Sequence, residues 1–390
     1  MTSASSAVPG GAGVLPAPEG ASARRFFRPT WAEVHLGALQ ENLRRFRRRL
    51  PRATRLLFVV KGDAYGHGAV QCARAAEKCR GADWLGVSSV EEGVVLREAG
   101  ARLPVLVLGS LYPFESFLAA VEFGLTPTVA SLDSARRLAE VARRLRRKVS
   151  CHLKIETGMG RIGMSPAAAE AAAGYLLQTG RVDVAGAYTH FSCAETDRAF
   201  TLEQLRRFKR ALAGLARIGV SPRLRHAANS AAALRYPAAR LDLVRPGLAI
   251  YGLVPGFRPV LSLKSKVVFL KTVPRGAAIG YGATFRAKRP TRVATVPIGY
   301  ADGWTRRLSN RCSALLGGRR CPVIGTISMD MLMLDATAVP GARVGDDVVL
   351  IGRQGREEIT AAEAAAAAGT IPYETTTALT SRVPRTSRWA

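Results

Sequence analysis

Short apolar runs alternate with amphipathic stretches along most of the chain. The apolar runs are Leu56–Lys61, Trp84–Ser88, Val105–Gly109, Thr126–Ala130, Val149–Ile155, Val182–His190, Leu224–Ala228 and Leu243–Gly252. They read as strands buried on both faces. Between them, Val70–Cys79, Val90–Ala99, Phe114–Phe123, Ser134–Leu145, Ala167–Leu177 and Leu202–Ile218 carry apolar residues at helical spacing, and Ala231–Arg235 is a shorter piece after the seventh strand. Ala38–Leu50 predicts one more helix ahead of the first of these strands. Eight strands with helices between them over about 200 residues predict an α/β fold of the (β/α)8 barrel type. A doubly wound open sheet is the runner-up. The first strand–helix turn, Lys61–Gly68, lacks the glycine spacing of a dinucleotide fold.

After about residue 258 the pattern changes. Val260–Val273, Arg292–Pro297, Val323–Leu334 and Asp347–Ile351 are strand-like, with Gly and Pro turns between them, and one alanine helix, Ala361–Ala368, interrupts the series. The predicted organisation is a tail over 1–27, a barrel over 28–258 and a mainly β domain over 259–390. The first strand of the barrel segment is expected to pack with the C-terminal domain.

Composition refines this picture. With 390 residues, 48% of them apolar, and a mean hydropathy of +0.06, the chain can bury two sizeable cores. No apolar run reaches the roughly 18 residues needed to span a bilayer. Residues 1–26 are rich in Ala, Gly, Pro and Ser, which reads as a disordered tail. Met1 to Ala23 contain no lysine or arginine, so the basic start of a secretion signal is missing. Cys72, Cys79, Cys151, Cys193, Cys312 and Cys321 form no CxxC pair, which argues against a zinc site and a disulfide scaffold and favours the cytoplasm. The net charge of +28 raises nucleic acid as a partner. The basic runs Arg44–Arg49 and Arg143–Lys148 sit on predicted helices as solvated faces, without interleaved aromatic stacking residues. Compositional bias toward arginine is the plainer explanation.

The unusual polar residues fall at strand ends. Lys61 closes an apolar strand and is followed by small residues. Its bland reading is a strand-end lysine that snorkels into water. Its functional reading is a desolvated amine poised to form a Schiff base with a carbonyl such as that of pyridoxal phosphate. Arg161 follows the fifth strand, His190 ends the sixth, Asn229 and Ser230 follow the seventh, and Arg245 lies near the start of the eighth, before Pro246 and Gly247. Singly, His190 reads as a core histidine, Ser230 as a helix cap and Arg245 as a partner of Asp242. Together they converge on the face where barrel enzymes build their sites. Ser230 starts a helix, where free N–H groups favour an anion such as the cofactor phosphate, and Gly247 allows close backbone approach. Arg245 opposite the cofactor's ring nitrogen cannot accept its proton. The ring would then be a weaker electron sink, suited to simple proton exchange at Cα.

These residues lie in motifs that resemble bacterial alanine racemase over residues 28 to about 386. The motifs are Val59–Gly68, His152–Gly163, Thr189–Phe191, Asn229–Ser230, Val244–Gly247, Tyr281–Gly282, Gly299–Gly303 and Ser328–Asp330. The resemblance implies a pyridoxal 5'-phosphate enzyme that racemises L- and D-alanine by a two-base mechanism and supplies D-alanine for peptidoglycan. It implies that Lys61 holds the cofactor as its aldimine and acts as the base on one face of Cα. Tyr281 of the partner subunit would be the opposite base, with His190 hydrogen-bonded to it. Arg161 would touch the cofactor's phenolic oxygen and the substrate, and Lys154 would be carbamylated and orient Arg161. Tyr65, Ser230, Gly247, Leu248 and Tyr373 would contact the phosphate, with Asn229 and Arg245 completing the cofactor site. The backbone at Met329 would receive the substrate carboxylate, with Asp330 beside it, and Tyr300 would line the access channel. Shared sites would make the homodimer obligatory. No metal is implied, and neither membrane nor nucleic acid is an expected partner.

There are departures from the family pattern. Glu156 replaces the usual aspartate, Ser328 stands where a cysteine is common, and Thr326 stands where many members have an arginine near the channel. The last opens the alternative of a racemase of broader specificity. Barrel-type amino-acid decarboxylases fit the Tyr281-Gly282 motif poorly. A non-catalytic cofactor-binding protein of similar barrel would lack the second domain.

Overall fold

The computed structural model describes residues 26–389. The tail expected over 1–27 lies outside the described residues except for Phe26 and Phe27. The chain divides into two compact units. Leu261–Ile371 and Ala378–Arg388, with the described residues through Val34, form one; His35–Val260 and Pro372–Thr377 form the other.

The chain opens with β1 (Thr30–His35), which pairs antiparallel with β10 (Leu261–Lys266) in the sheet of the C-terminal unit. Thr30 pairs with Ser265, and their hydroxyls are 2.8 Å apart.

The larger unit contains β2 (Arg55–Val59), β3 (Trp84–Val87), β4 (Val105–Val107), β5 (Thr128–Val129), β6 (Val149–Lys154), β7 (Val182–Tyr188), β8 (Leu224–His226) and β9 (Leu243–Val244). All pairings among them are parallel, in the orders β4-β3-β2-β9 and β5-β6-β7-β8. A parallel bridge between Leu106 and Thr126 joins the two sets on one side. On the other side Asp242 N donates to Arg225 O and Arg245 N to Ala228 O. The predicted (β/α)8 barrel is therefore present. Strand interiors such as Leu56–Phe58 and Val105–Leu106 are fully buried, as expected where helices cover the sheet. Several helices start where the sequence provides caps: Ser89 accepts from Glu92 N, Asp197 from Phe200 N, and Asn229 from Ala232 N.

The eighth strand is shorter than the predicted Leu243–Gly252. Pro246 lacks an N–H, and the chain turns at once, with Ile250 N donating to Gly247 O.

The C-terminal unit is mainly β. One sheet runs β16-β15-β18-β10-β1-β20, formed with β15 (Ser313–Leu316), β16 (Arg319–Pro322), β18 (Asp347–Gln354) and β20 (Arg385–Arg388); β19 (Glu357–Ile359) pairs with β18. A second contains β11 (Phe269–Val273), β14 (Thr291–Val296) and β17 (Leu332–Asp335), and β12 (Ala278–Ile279) pairs with β13 (Phe285–Arg286). Alternating burial in β10 turns Leu261, Leu263 and Ser265 inward, against a core that includes Trp304, Leu316 and Val348. The run Val323–Leu334, expected as one strand, is not continuous. Gly325 has φ +76°, and the Ser328 hydroxyl donates to Met331 O at 2.9 Å, so the chain turns before β17 begins. Among the described residues no helix is long and apolar enough to cross a membrane.

Candidate active site

Lys61 stands where β2 ends, and the backbone after it is unusual. Gly62, Asp63, Ala64 and Tyr65 all have left-handed φ of 62°, 50°, 55° and 54°. Such a turn costs about 1–2 kcal/mol at each non-glycine residue. It is held from three directions. Glu92 accepts from Gly62 N at 2.7 Å and from Ser88 N at 2.6 Å, while Asp63 Oδ1 accepts from Ala69 N at 2.7 Å. Gly66 packs so tightly that a Cβ there would lie 2.0 Å from Thr376 O. The turn delivers Lys61 and Tyr65 to one cavity of about 540 Å³. Burial, and then the charge of Arg161, holds the Lys61 amine below the usual lysine range, against an opposing pull from Glu92.

That cavity also receives Lys154, Arg161, His190, Asn229, Ser230, Arg245, Gly247, Leu248 and Tyr373. Ten of the sequence-predicted residues besides Lys61 therefore meet in one place. Tyr373 reaches it because Pro372–Thr377 belongs to the barrel unit, and its ring lies 6.5 Å from that of Tyr65. Asn229 caps the following helix, and Ser230 Oγ accepts from Gly247 N at 3.1 Å and Ala249 N at 3.2 Å. A Cβ on Gly247 would come 2.7 Å from Tyr65 Oη, so only glycine leaves this cradle open.

Arg245 does not pair with Asp242, which binds Arg225 instead, at 2.6 Å. Its guanidinium is buried and meets neutral groups. Nη1 donates to His226 Nδ1 at 2.9 Å. Nη2 reaches Thr189 O at 2.8 Å, Ala227 O at 3.0 Å and His190 Nδ1 at 3.2 Å. Burial lowers it to about 10, so it remains a cation at neutral pH. A guanidinium only donates, so Nδ1 of both histidines must accept. Burial, and then the Arg245 charge, keeps His190 and His226 neutral. Lys154 Nζ sits 4.2 Å from the Tyr188 ring centre, and burial, then Arg245, drives its amine well down. Glu156 caps the loop before Arg161, accepting from Gly158 N, from Met159 N at 2.6 Å and from Gly160 N at 3.0 Å.

The remaining predicted residues lie in the C-terminal unit. Tyr281 is 72% exposed, in a turn anchored by Thr326 Oγ1, which donates to Tyr281 O at 2.8 Å. Tyr300 N donates to Ser328 O and Ala301 N to Met329 O, which brings Tyr300 beside Met329. Asp330 is ion-paired with Arg382 at 2.5 Å.

Two domain families match consecutive stretches of this chain: the alanine racemase N-terminal domain over residues 34–255 and the alanine racemase C-terminal domain over 260–387. The chain belongs to the alanine racemase family. It is accordingly an amino-acid racemase, an isomerase. An alanine racemase of Symbiobacterium thermophilum is 46% identical over 367 residues, covering 92% of this chain and 97% of that protein. The solved alanine racemase of Clostridium difficile 630 has a TM-score of 0.89 at 36% identity, covering 94% of this chain and 97% of that one. That of Bacillus anthracis, solved with bound L-Ala-P, has a TM-score of 0.87 at 36% identity, covering 94% and 96%.

Within this family member, several site residues escaped the sequence reading. Tyr188 stacks on His226 with ring centres 4.7 Å apart and lies beneath both Lys154 and Arg245. A tyrosine closing the small, buried stretch Ala185–Ala187 is the signal that marks it. Glu92, Gln204 and the Thr157–Thr189 hydroxyl pair, 2.6 Å apart, carry no comparable mark. Their partners lie 30 or more residues away, apart from Ser88, Ser192 and His190, which lie outside their own helices.

Proposed function

We propose that the chain interconverts L- and D-alanine with pyridoxal 5'-phosphate held on Lys61, as a cytoplasmic homodimer that supplies D-alanine for peptidoglycan. The observation that carries this reading is one cavity holding a desolvated lysine, an anion cradle and a buried arginine with neutral partners. The residues fit the cofactor. Ser230, the Gly247 and Leu248 backbone, and the Tyr65 and Tyr373 hydroxyls would hold its phosphate. Asn229 would fix the start of the helix that carries Ser230. Arg245 would face the ring nitrogen and Arg161 the phenolic oxygen. When bound, the cofactor draws electron density away from Cα as its proton leaves.

The chain's own residues would move the proton. Lys61 Nζ removes or returns it on one face of Cα. The phenol of Tyr281 of the partner subunit does so on the other face, where His190 hydrogen-bonds it. One base alone tends to return a proton to the face it left, so inversion needs both. Lys154, its amine held well below the ordinary lysine range by burial, would be open to carbamylation, and the resulting carboxylate would orient Arg161. The Met329 backbone would receive the substrate carboxylate, and Tyr300 and Asp330 would line the approach. A second reading, a racemase of broader specificity, is favoured by Thr326, a neutral buried residue that holds the turn carrying Tyr281.

Lys61→Ala should remove both the absorbance of lysine-bound cofactor and turnover; normal turnover would sink the scheme. Tyr281→Phe should slow loss of the α-proton from one alanine enantiomer far more than from the other, whereas equal exchange from both contradicts the two-base reading. Assays with both enantiomers of alanine, serine, lysine and arginine decide the substrate range.

A further inference from the structure

Gln204 lies in the helix Arg198–Arg217 behind the cavity and is fully buried. Its amide is saturated. Nε2 donates to Thr157 Oγ1 at 3.3 Å and to His190 O at 3.2 Å. Oε1 accepts from Ser192 N at 3.0 Å and from Ser192 Oγ at 3.2 Å. Its orientation has no alternative, because the Ser192 N–H can only donate and the His190 carbonyl can only accept. One side chain thus ties the loop after β6 to both sides of Phe191. The adjoining Thr189 carbonyl accepts from Arg245 at 2.8 Å. The 189–190 segment is therefore gripped by Arg245 on one side and by Gln204 on the other.

This grip bears on a proton position. Arg245 makes His190 Nδ1 the acceptor, so the neutral ring carries its proton on Nε2. We propose that Gln204 is a positioning residue for the second proton-transfer face: by fixing the His190 backbone it keeps that Nε2–H directed at the phenol of Tyr281 of the partner subunit. The inference rests on the reading of Tyr281 as the second base. Displacing a hydrogen-bond donor by an ångström costs on the order of a hundredfold in rate when it acts on a reacting group. The cost falls on the Tyr281 face, while Lys61 and the anion cradle hang on other strands.

The test is exchange of the α-hydrogen with D2O, measured on the cofactor-loaded enzyme for each alanine enantiomer before racemisation accumulates. Tyr281→Phe first marks which enantiomer depends on Tyr281. Gln204→Glu keeps the side-chain length and an acceptor for Ser192 N, but sets a carboxylate oxygen against the His190 carbonyl. Exchange from the marked enantiomer should fall about ten- to a hundredfold, and from the other by about twofold or less, with the bound-cofactor absorbance retained. Gln204→Asn, one methylene too short to span both contacts, should show the same asymmetry and carries the comparison if the glutamate variant does not fold. Thr157→Val removes a partner of the Gln204 amide and of the Thr189 hydroxyl but leaves the Gln204 bonds to His190 O and Ser192 in place, and should keep the wild-type ratio. An equal fall for both enantiomers, no fall at all, or the same asymmetry in Thr157→Val overturns the role of Gln204. If Tyr281→Phe is itself symmetric, the two-base reading falls and the inference falls with it.

Discussion

Glu92→Gln probes the support of the catalytic lysine. The wild-type carboxylate accepts from Gly62 N at 2.7 Å and from Ser88 N at 2.6 Å. An amide has one acceptor oxygen, so one of these N–H groups would face an NH2 instead. A hydrogen bond to a charged group is worth about 1.5–3 kcal/mol, and the surviving bond becomes a weaker neutral one. The turn it braces holds Asp63, Ala64 and Tyr65 in left-handed conformation. At about 1–2 kcal/mol each, that is roughly 3–6 kcal/mol of strain which such contacts must offset. The substitution should therefore cost about 2 kcal/mol. At about 2–4 °C per kcal/mol for a domain of this size, Tm should fall by roughly 4–8 °C. A second effect is electrostatic. Glu92 raises the Lys61 amine while burial and Arg161 lower it, so removing the charge lowers the amine further. Lys61 works as a base only when unprotonated, so the acid limb of its rate profile should move to lower pH. Thermal melts together with a pH–rate profile check both effects. An unchanged Tm with an unmoved acid limb would refute the reasoning and leave Glu92 as a solvated surface acid.

Ser230→Ala should leave the barrel folded and weaken cofactor retention. The phosphate would lose a hydroxyl donor, and at about 1.5–3 kcal/mol for a hydrogen bond to a charged group the dissociation constant should rise roughly 10- to 150-fold, measured by equilibrium dialysis of the cofactor. Stability should also fall on the acid side. Burial holds His152 at about 3 and keeps His190 and His226 well below the ordinary histidine value. Below about pH 6.5 the unfolded chain takes up protons that the folded protein excludes. Each histidine then withdraws up to about 1.4 kcal/mol per pH unit, so urea unfolding at pH 5.5 should show a loss approaching 4 kcal/mol relative to pH 7.5. A flat profile over that range would mean that the histidines are charged in the fold.

The barrel was legible because parallel strands buried on both faces are written as continuous apolar runs, with helical periods between them. Lys61, His190 and Arg245 stood out for the complementary reason: an ionisable group within or at the end of such a run is costly to bury without a purpose. Two kinds of feature were not legible. The left-handed turn at Asp63–Tyr65 is enforced by Glu92 and by the close approach of Thr376 to Gly66, and no local residue pattern announces it. Gln204 and Glu92 act through partners outside their own helices, so their types alone read as packing or as a solvated charge. The single-strand reading of Val323–Leu334 failed because Ser328 and Gly325 form a turn inside a run that is apolar enough to be a strand.

The distribution of charge in the cavity adds a constraint that the individual residues do not. Arg245 is buried among neutral acceptors, and its charge helps to lower Lys154, His190 and His226. Lys154 feels Arg161 as well, with Glu156 the opposing acid, yet the Glu156 oxygens are turned to the amides of their own loop. A buried cation without an anionic partner is normally selected against, because desolvation is not repaid. Its persistence makes sense if the missing negative charge arrives with a ligand: a phosphate at the Ser230–Gly247 cradle, a carboxylate on the substrate, and a carbamate on Lys154. Each is an anion, and each would enter the cavity that Arg245 and Arg161 share. On that reading the folded protein without ligands would carry an electrostatic cost that binding would reduce. Affinity for the phosphate group and for a carboxylate beside Arg161 would on this account be two consequences of one positively charged cavity.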